Sequence, residues 1–244
     1  MEMALIAIIP ARGGSKGILK KNIVDIAGKP LVWYAIQNAI NCDVITEVFV
    51  STDSPEIAEA SKNAGAQVPY MRPKDLATDT SPNTACCLHL VDWLMHERHS
   101  QISDFVLLQP TSPLISSQTI TKAIKLFYDE KPEAVLSVSE HAYPIESIYE
   151  RDSCGYLSNV LANRYEQNVS ISQRQSYPKR YKITGGFSVL RVDKLRRNLR
   201  YCHLNREVLG FPISQYESID IDEDFDLYLA RLIIENHRAV SLGG

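Results

Sequence analysis

A loop rich in glycine and cations, PARGGSKG at residues 10–17, follows the first apolar run of the chain. Its backbone N–H groups can approach an anion closely, and cations clustered around them suit a triphosphate. The cations and amide of this loop and of the stretch after it are Arg12, Lys16, Lys21 and Asn22. The loop is neither a Walker loop nor a GxGxxG fingerprint. A solvated turn is the alternative interpretation, but the position directly after a buried strand favours an anion-binding loop.

Paired carboxylates occur near the other end of the chain, in the segment SIDIDED at residues 218–224. If this segment is a strand, its period of two places Asp220 and Asp222 on one face. Two carboxylates near the loop cations would repel each other without a divalent cation between them, and oxygen ligands beside a triphosphate indicate Mg²⁺. The alternative is that Asp222 or Asp224 caps the final helix. Both interpretations hold if Asp220 and Asp222 are the ligands and Asp224 lies near the positive helix end.

The elements that must position these residues alternate along the first part of the chain. Apolar runs typical of buried strands cover residues 4–9, 47–51, 105–109 and 134–138. Helical patterns lie between them, from Pro30 onward and at residues 55–64, 84–99 and 120–127. This alternation predicts an α/β fold with a mixed, mostly parallel sheet flanked by helices.

The alternation breaks between about residues 141 and 181, where polar and aromatic residues predominate. We interpret this stretch as a small β-rich lobe inserted into a single domain of residues 1–244, because apolar residues there can still form a core. They are Ile148, Tyr149, Tyr156, Leu157, Val160 and Leu161. Strands are then expected at residues 187–190, 207–213 and 218–222. A final helix follows, and the residues expected on its buried face are Phe225, Leu229, Leu232 and Ile233.

The composition argues against several classes of protein. At 244 residues, with 45% hydrophobic and 23% charged residues, the chain can bury a substantial core. A formal net charge of -3 argues against a nucleic-acid-binding protein, although a few cations suffice for a nucleotide. The five cysteines lack CxxC spacing, which argues against a zinc site and favours the cytoplasm. The run at residues 4–9 is too short to span a membrane.

Six segments, taken in order, resemble the acylneuraminate cytidylyltransferases, or CMP-sialic acid synthetases, over nearly the whole chain. They are IPARGGSKGILKKN, GKPLVWYAI, VSTDSPEIAEASKNAGA, RPKDLATD, LQPTSPL and SIDIDEDFDL. The resemblance implies a mixed α/β nucleotide-binding sheet with a small dimerisation lobe, and therefore a homodimer. It also implies transfer of CMP from CTP to the anomeric hydroxyl of an acidic nine-carbon 2-keto sugar, such as N-acetylneuraminate or legionaminate. Pyrophosphate is released.

The resemblance further implies roles for individual residues. The family's CTP-binding loop is matched by Arg12, Lys16, Lys21 and Asn22, and its metal-binding pair by Asp220 and Asp222. Arg72 and Gln109 match segments that line the cytidine pocket, where cytosine needs a donor for O2 and N3 and an acceptor for its N4 amino group. The segment that handles the acidic sugar is matched by Arg174, Gln175, Tyr177, Pro178 and Tyr181, and Gln109 is expected to contribute there too. The residues expected to support catalysis directly are Arg12, Lys16, Lys21, Asp220 and Asp222.

Two further expectations concern the loop and its surroundings. Lys21 is expected to be exposed, so that its removal leaves stability almost unchanged. Asp53, in VSTD, is expected to order the turn before Pro55.

Three departures from the family pattern bear on the sugar. They are Ile115 after SPL, Thr184 at the start of TGGFS, and the segment HAYPIE at residues 141–146. They affect which acid is bound rather than nucleotidyl transfer. Two alternatives are open: a cytidylyltransferase for the smaller acid Kdo, and a non-catalytic sugar-nucleotide-binding protein on the same fold. The presence of both Asp220 and Asp222 with all the loop cations argues against the second alternative.

Overall fold

The computed structural model describes residues 5–15, 17–141, 147–160, 178–197 and 207–242 of the chain. Contacts between residues divide the chain into two compact units. The first unit comprises Met1–Val138 and Ile183–Gly244, and the second comprises Ser139–Lys182. That the second unit is a dimerisation lobe stays a prediction.

Strands and helices alternate through the first unit, as the sequence predicts. The strands of both units are β1 (Ile6–Pro10), β2 (Asp25–Ile26), β3 (Lys29–Pro30), β4 (Glu47–Ser51), β5 (Asp104–Leu108), β6 (Ala134–Glu140), β7 (Tyr149–Arg151), β8 (Leu157–Asn159), β9 (Tyr181–Arg191) and β10 (Val208–Pro212). The helices are α1 (Leu31–Ile40), α2 (Pro55–Asn63), α3 (Asn83–Glu97), α4 (Ser117–Glu130), α5 (Val192–Arg197) and α6 (Asp224–Leu242). None of the helices in the described ranges is long and apolar enough to cross a membrane.

Six strands form the central sheet in the order β10-β6-β9-β5-β1-β4. β1 runs parallel to both β4 and β5, and β10 runs parallel to β6. β9 runs antiparallel to β5, so one reversed strand lies inside an otherwise parallel arrangement. The predicted mixed, mostly parallel sheet is therefore confirmed.

Both faces of this sheet are buried, because side chains alternate between them along each strand. Ile6 and Ile8 of β1 pack on one face with buried residues of α3 and α5. Ala7 and Ile9 pack on the opposite face with buried residues of α1, α2 and α4. The continuous apolar runs read from the sequence are thus strands covered by helices on both sides.

The buried face of α6 differs from the predicted one. Phe225 is 71% exposed and Leu232 is 39% exposed. Leu227, Ala230 and Ile234 are buried instead, in a cluster that also contains Ile18, Ile26, Leu31 and Tyr34. Two apolar stripes on this helix share the same spacing, so periodicity alone could not decide which one packs inward.

Residues 218–222 do not form a strand, which corrects the prediction. A turn covers residues 215–218, and residues 219–222 belong to no helix or strand. A hydrogen bond from the Ile221 N–H to the Thr111 carbonyl oxygen, at 2.8 Å, connects this segment to the loop after β5. The central sheet has its edges at β10 and β4, so this segment adds no strand to it.

The described part of the second unit contains an antiparallel hairpin of β7 and β8. Asp152 organises its turn, because its Oδ1 accepts N–H bonds from Cys154 and Tyr156 at 2.9 and 2.8 Å. The apolar residues expected to form a core are exposed here, which corrects that part of the prediction. Those described are Ile148, Tyr149, Tyr156, Leu157 and Val160. Leu161 lies outside the described residues.

A glycine in β9 marks a point of close packing near the carboxyl end of β5. A Cβ atom on Gly186 would collide with the Ile115 side chain and come within 3.1 Å of Ser112 Oγ. We expect Gly186→Ala to lower the free energy of unfolding by about 1–3 kcal/mol, because a packed core resists added volume. Thermal denaturation would measure this.

Gly14→Ala is the matched control, since among the described residues beyond its two chain neighbours no atom lies within 4 Å of the place that a Cβ atom would take there. Equal melting temperatures for the two variants would contradict the packing argument at Gly186.

Candidate active site

A cavity of about 630 Å³ opens at the carboxyl ends of β1 and β5, the edge where α/β proteins bind ligands. The sequence-predicted residues that line it are Arg12, Lys21, Asn22, Arg72, Gln109, Asp220 and Asp222. The fold therefore brings residues from both ends of the chain to one cavity. Their individual roles stay predictions. Lys16, Arg174, Gln175 and Tyr177 lie outside the described residues, and Tyr181 begins β9 with an exposed side chain.

The first loop is held in shape by two polar side chains. Asp53 Oδ1 accepts the Gly13 N–H at 2.8 Å, and Asn22 Nδ2 donates to the Arg12 carbonyl oxygen at 2.9 Å. Asn22 is buried, so its amide stabilises the loop from the interior of the protein. That Asp53 orders the turn before Pro55 stays a prediction; the side chain of Ser54 caps α2 there.

The acidic segment packs directly against this loop. A Cβ atom on Gly17 would lie 2.5 Å from the Asp222 carbonyl oxygen, so only glycine permits the approach. Ile221 is fully buried in the cluster that also contains Ile18 and Ile26. Burial of Ile221 leaves its neighbours Asp220 and Asp222 lining the cavity.

Lys21 joins the loop to the acidic segment. Its Nζ donates to the Ile221 carbonyl oxygen at 2.8 Å and to Asp222 Oδ1 at 2.9 Å. The Lys21 side chain is only 14% exposed. The expectation of an exposed lysine is therefore wrong, because the loop turns its ammonium group inward onto a segment 200 residues away.

Asp220 lies in a different electrostatic environment from Asp222. Burial raises the pKa of Asp220 above its ordinary value, and the negative charge of Asp222 raises it further. Hydrogen bonds from Thr111 and Ser112 and the charge of Lys21 oppose this rise in pKa. Within the described ranges, no group of three or more His, Cys, Asp or Glu side chains gathers to hold a metal ion. Any metal here would depend on these two carboxylates together with ligands from a substrate.

Asp226, in the first turn of α6, accepts hydrogen bonds from the residues that precede the helix. Its Oδ2 accepts the N–H groups of Asp222 and Glu223, each at 3.0 Å. Asp224 is the first residue of α6. Asp226 thus bonds the backbone of the two residues before α6, while the Asp222 side chain bonds Lys21. Capping of the helix by Asp222 or Asp224 stays a prediction.

Arg72 is a buried cation in the wall of the cavity. Its Nε donates to Ser51 Oγ at 3.0 Å, and its Nη2 donates to the Ser51 carbonyl oxygen. Its own N–H donates to the Thr52 carbonyl oxygen at 2.7 Å. On the facing strand, the Gln109 N–H donates to the Gly186 carbonyl oxygen at 2.9 Å. The Arg72 side chain and the Gln109 backbone are thus both attached to strand ends.

Sequence reasoning missed the polar stretch after Arg72. Asp79 lines the cavity and pairs with Arg12, with 2.7 Å between Oδ1 and Nη1. Its neighbours in the lining are Thr78, Thr80, Ser81 and Asn83. A run of hydroxyl and acidic residues between Pro73 and Pro82, followed by Asn83, is the signal that could have found them. This stretch supplies the acidic partner of a predicted phosphate-binding cation.

The comparisons with known proteins agree with this geometry. The sequence pattern of the family described as cytidylyltransferase matches residues 6–217. The chain belongs to the cytidylyltransferase family. It is therefore a nucleotidyltransferase, as the resemblance implied.

Three relatives of this cytidylyltransferase cover most of its length. Pseudaminic acid cytidylyltransferase of Campylobacter jejuni is 34% identical over 76% of this chain and 77% of that protein. CMP-N,N'-diacetyllegionaminic acid synthase of Legionella pneumophila is 33% identical over 96% of this chain and 97% of that protein. N-acylneuraminate cytidylyltransferase of Escherichia coli is 30% identical over 94% of this chain and 52% of that protein.

Solved structures agree on the fold of the cytidylyltransferase. CMP:2-keto-3-deoxy-manno-octonic acid synthetase, solved with CTP, has a TM-score of 0.69 at 17% identity. The likeness covers 96% of this chain and 99% of that chain. The family pattern ends at Glu217, so Asp220 and Asp222 lie just beyond it. The match to the Legionella pneumophila protein, over 237 residues, extends past both.

The inward position of Lys21 gives a prediction for this cytidylyltransferase. We expect Lys21→Ala to raise the KM for CTP and also to lower the free energy of unfolding by roughly 1–3 kcal/mol. The loss of stability follows because the change leaves the Ile221 carbonyl oxygen and Asp222 without their shared charged donor. Steady-state kinetics and thermal denaturation measure the two effects.

Lys20→Ala is the control, since the Lys20 side chain forms an exposed pair with Glu56 and its removal should change neither quantity much. A Lys21→Ala protein with unchanged melting temperature would restore the exposed-lysine interpretation.

Proposed function

We propose that this cytidylyltransferase transfers CMP from CTP to the anomeric hydroxyl of an acidic nine-carbon 2-keto sugar. The observation that carries the proposal is one cavity in which Arg12, Lys21, Asp220 and Asp222 meet at the ligand-binding edge of the sheet. The relatives that act on pseudaminic, legionaminic and neuraminic acids support the class of sugar. A cytoplasmic location stays a prediction of the sequence.

The proposed reaction is a direct displacement at the α-phosphorus of CTP. The anomeric oxygen forms a bond to phosphorus while the bond to the β-phosphate oxygen breaks, and the hydroxyl loses its proton as pyrophosphate leaves. Such a reaction needs positioned reactants and stabilised charge more than covalent help from the protein. In our proposal, Arg12, Lys16 and Lys21 neutralise the triphosphate and the departing pyrophosphate.

Binding of the triphosphate exchanges one set of charge partners for another. In the structure Arg12 bonds Asp79 and Lys21 bonds Asp222. Phosphate oxygens compete for the same N–H donors, and a charge-assisted hydrogen bond to phosphate is stronger than a hydrogen bond between neutral groups. We propose that Arg12 turns from Asp79 to the phosphates, while Lys21 keeps its bond to the Ile221 carbonyl oxygen.

The donor set at the acidic pair fits Mg²⁺. Mg²⁺ in proteins is commonly held by one or two carboxylates together with substrate phosphates and water. Asp220 and Asp222 line the cavity proposed for the triphosphate, and burial together with the charge of Asp222 raises the pKa of Asp220. We propose that these two residues hold Mg²⁺. When bound, the ion would polarise an α-phosphoryl oxygen.

Further residues are proposed to recognise the two substrates. Arg72 and Gln109 are assigned to the cytosine base, because both line the cavity and both are attached to strand ends. Arg174, with Gln175 and Tyr181, is assigned to the sugar. A planar guanidinium can pair with a carboxylate through two parallel hydrogen bonds. Gln109 is assigned a second contact with the sugar.

We also propose a homodimer. Exposed apolar side chains in the second unit support it, because a contiguous apolar surface commonly marks an interface. They include Tyr149 at 42%, Tyr156 at 77% and Leu157 at 65% exposure. Two-fold pairing is the commonest way for such a surface to be covered.

The experiment that tests the sugar is a comparison of pyrophosphate release with CTP, Mg²⁺ and four acids. We expect N-acetylneuraminate, legionaminate or pseudaminate to give the highest kcat/KM and Kdo to give a lower one. The physical reason is that a pocket shaped for nine carbons loses contacts with the shorter acid. A clear preference for Kdo would reject the nine-carbon assignment, and no turnover with any acid would favour a non-catalytic protein.

The metal assignment predicts the behaviour of two variants. Asp220→Asn and Asp222→Asn should each lower kcat by roughly a hundredfold while the fold survives, because each removes one charged oxygen ligand without changing the volume. Pyrophosphate release over a range of Mg²⁺ concentrations measures this. Asp224→Asn, two residues further on at the start of α6, should retain normal turnover. Near-normal kcat at limiting Mg²⁺ in either test variant would remove that residue from the metal site.

A further inference from the structure

Glu217 lies three residues before Asp220 and is hydrogen-bonded on both carboxylate oxygens. Its Oε1 accepts from the Ser116 N–H at 3.1 Å, from Ser116 Oγ at 3.0 Å and from Thr119 Oγ1 at 2.6 Å. Its Oε2 accepts from Ser214 Oγ at 3.1 Å. The half-buried Glu217 carboxylate therefore accepts four hydrogen bonds.

Three of these donors belong to the first turn of α4. Ser116 is the N-cap of that helix, and its Oγ accepts from the Thr119 N–H at 3.2 Å. The N-terminal end of a helix carries unsatisfied N–H groups and a partial positive charge, which favour a carboxylate. Glu217 therefore fastens the turn at residues 215–218 to the start of α4.

The acidic segment has a second attachment on the other side of Asp220. The Ile221 N–H donates to the Thr111 carbonyl oxygen, and the Ile221 side chain is buried beside Ile18. Between Glu217 and Ile221 the chain belongs to no helix or strand, so no ladder of backbone bonds sets its path. Glu217 and Ile221 are therefore attached on either side of Asp220, and the bond from Lys21 to the Ile221 carbonyl oxygen adds to the second attachment.

Both attachments reach the same stretch of chain. Thr111 lies in the loop after β5, and Ser116 ends that loop where α4 begins. The same loop carries Gln109 and Ser112, and Ser112 Oγ lies 3.5 Å from Asp220 Oδ1. Glu217 thus couples the acidic segment to the loop after β5, which lines the cavity.

We propose that Glu217 is a positioning residue that holds Asp220 and Asp222 in the geometry needed for a divalent cation and CTP. The inference rests on the proposed function, because it assigns these aspartates to the metal. The competing explanation is that Glu217 only caps α4. A capping residue would affect stability alone, whereas a positioning residue must also affect what the aspartates bind.

The test compares the wild-type protein with Glu217→Gln, which keeps the size of the side chain and removes its charge. Mn²⁺, followed by electron paramagnetic resonance in the presence of CTP, serves as the probe of the metal site. We expect Glu217→Gln to weaken Mn²⁺ binding by about tenfold or more, as loss of a group that orients a ligand commonly does. In the pyrophosphate-release assay, kcat should fall while the KM for CTP changes less than about twofold.

Asp104→Asn is the matched control. Asp104 is also a buried carboxylate, with a bond from Ser103 Oγ at 2.9 Å, but it begins β5 at the end away from the cavity. Its variant should lose stability and retain Mn²⁺ affinity. If Glu217→Gln fails to fold, Thr119→Val replaces it, because that change removes the donor at 2.6 Å and leaves the carboxylate in place. A severalfold loss of Mn²⁺ affinity is expected there.

The outcomes separate this inference from the proposed function. Mn²⁺ affinity equal to that of the wild type in Glu217→Gln, even with a lower melting temperature, would overturn the positioning role. A wild-type protein that binds no Mn²⁺ with CTP would overturn it as well. A wild-type protein that binds Mn²⁺ with CTP but turns over none of the acidic sugars would contradict the proposed function. The comparison between wild type and Glu217→Gln would still decide the role of Glu217.

Discussion

The bond from Lys21 to the Ile221 carbonyl oxygen and Asp222 is the interaction on which the cavity depends. It joins Lys21, at the start of a short 3-10 helix (Lys21–Ile23), to residues 221 and 222, which belong to no helix or strand. Gly17 also packs closely against the Asp222 backbone, and a larger residue there would push the loop and the acidic segment apart. These two contacts bring the cations of the loop and the carboxylates of the acidic segment to one cavity.

Charge balance explains how such a cavity can exist before a ligand arrives. Carboxylates of Asp79, Asp220 and Asp222 line it together with the cations of Arg12, Lys21 and Arg72. Pairs of opposite charge limit the repulsion that either set would feel alone. A triphosphate brings both negative charge for the cations and oxygen ligands for a metal, so it can replace the internal partners without leaving buried charges unpaired.

The sheet supplies a rigid base for these contacts. β1 and β5 run parallel, so their carboxyl ends place the glycine-rich loop and Gln109 side by side. The reversed strand β9 enters beside β5 and brings Gly186 against Ile115. Ile115 is one of the three places at which the chain departs from the family pattern, and its side chain is buried. That departure therefore concerns packing beneath the cavity.

Local signals in the sequence were enough to predict the alternating strands and helices, the mostly parallel sheet and the family. Buried apolar runs and the six ordered motifs carry that information without reference to distant residues. The same signals located Arg12, Lys21, Asn22, Arg72, Gln109, Asp220 and Asp222, which the fold brings to one cavity. Only the tertiary structure decided the partners of those side chains. Asp53 holds Gly13, Asp79 pairs with Arg12, and Lys21 turns inward, because each contact joins residues far apart in the chain. Periodicity likewise could not choose the buried stripe of α6, since that choice depends on the surface against which the helix packs.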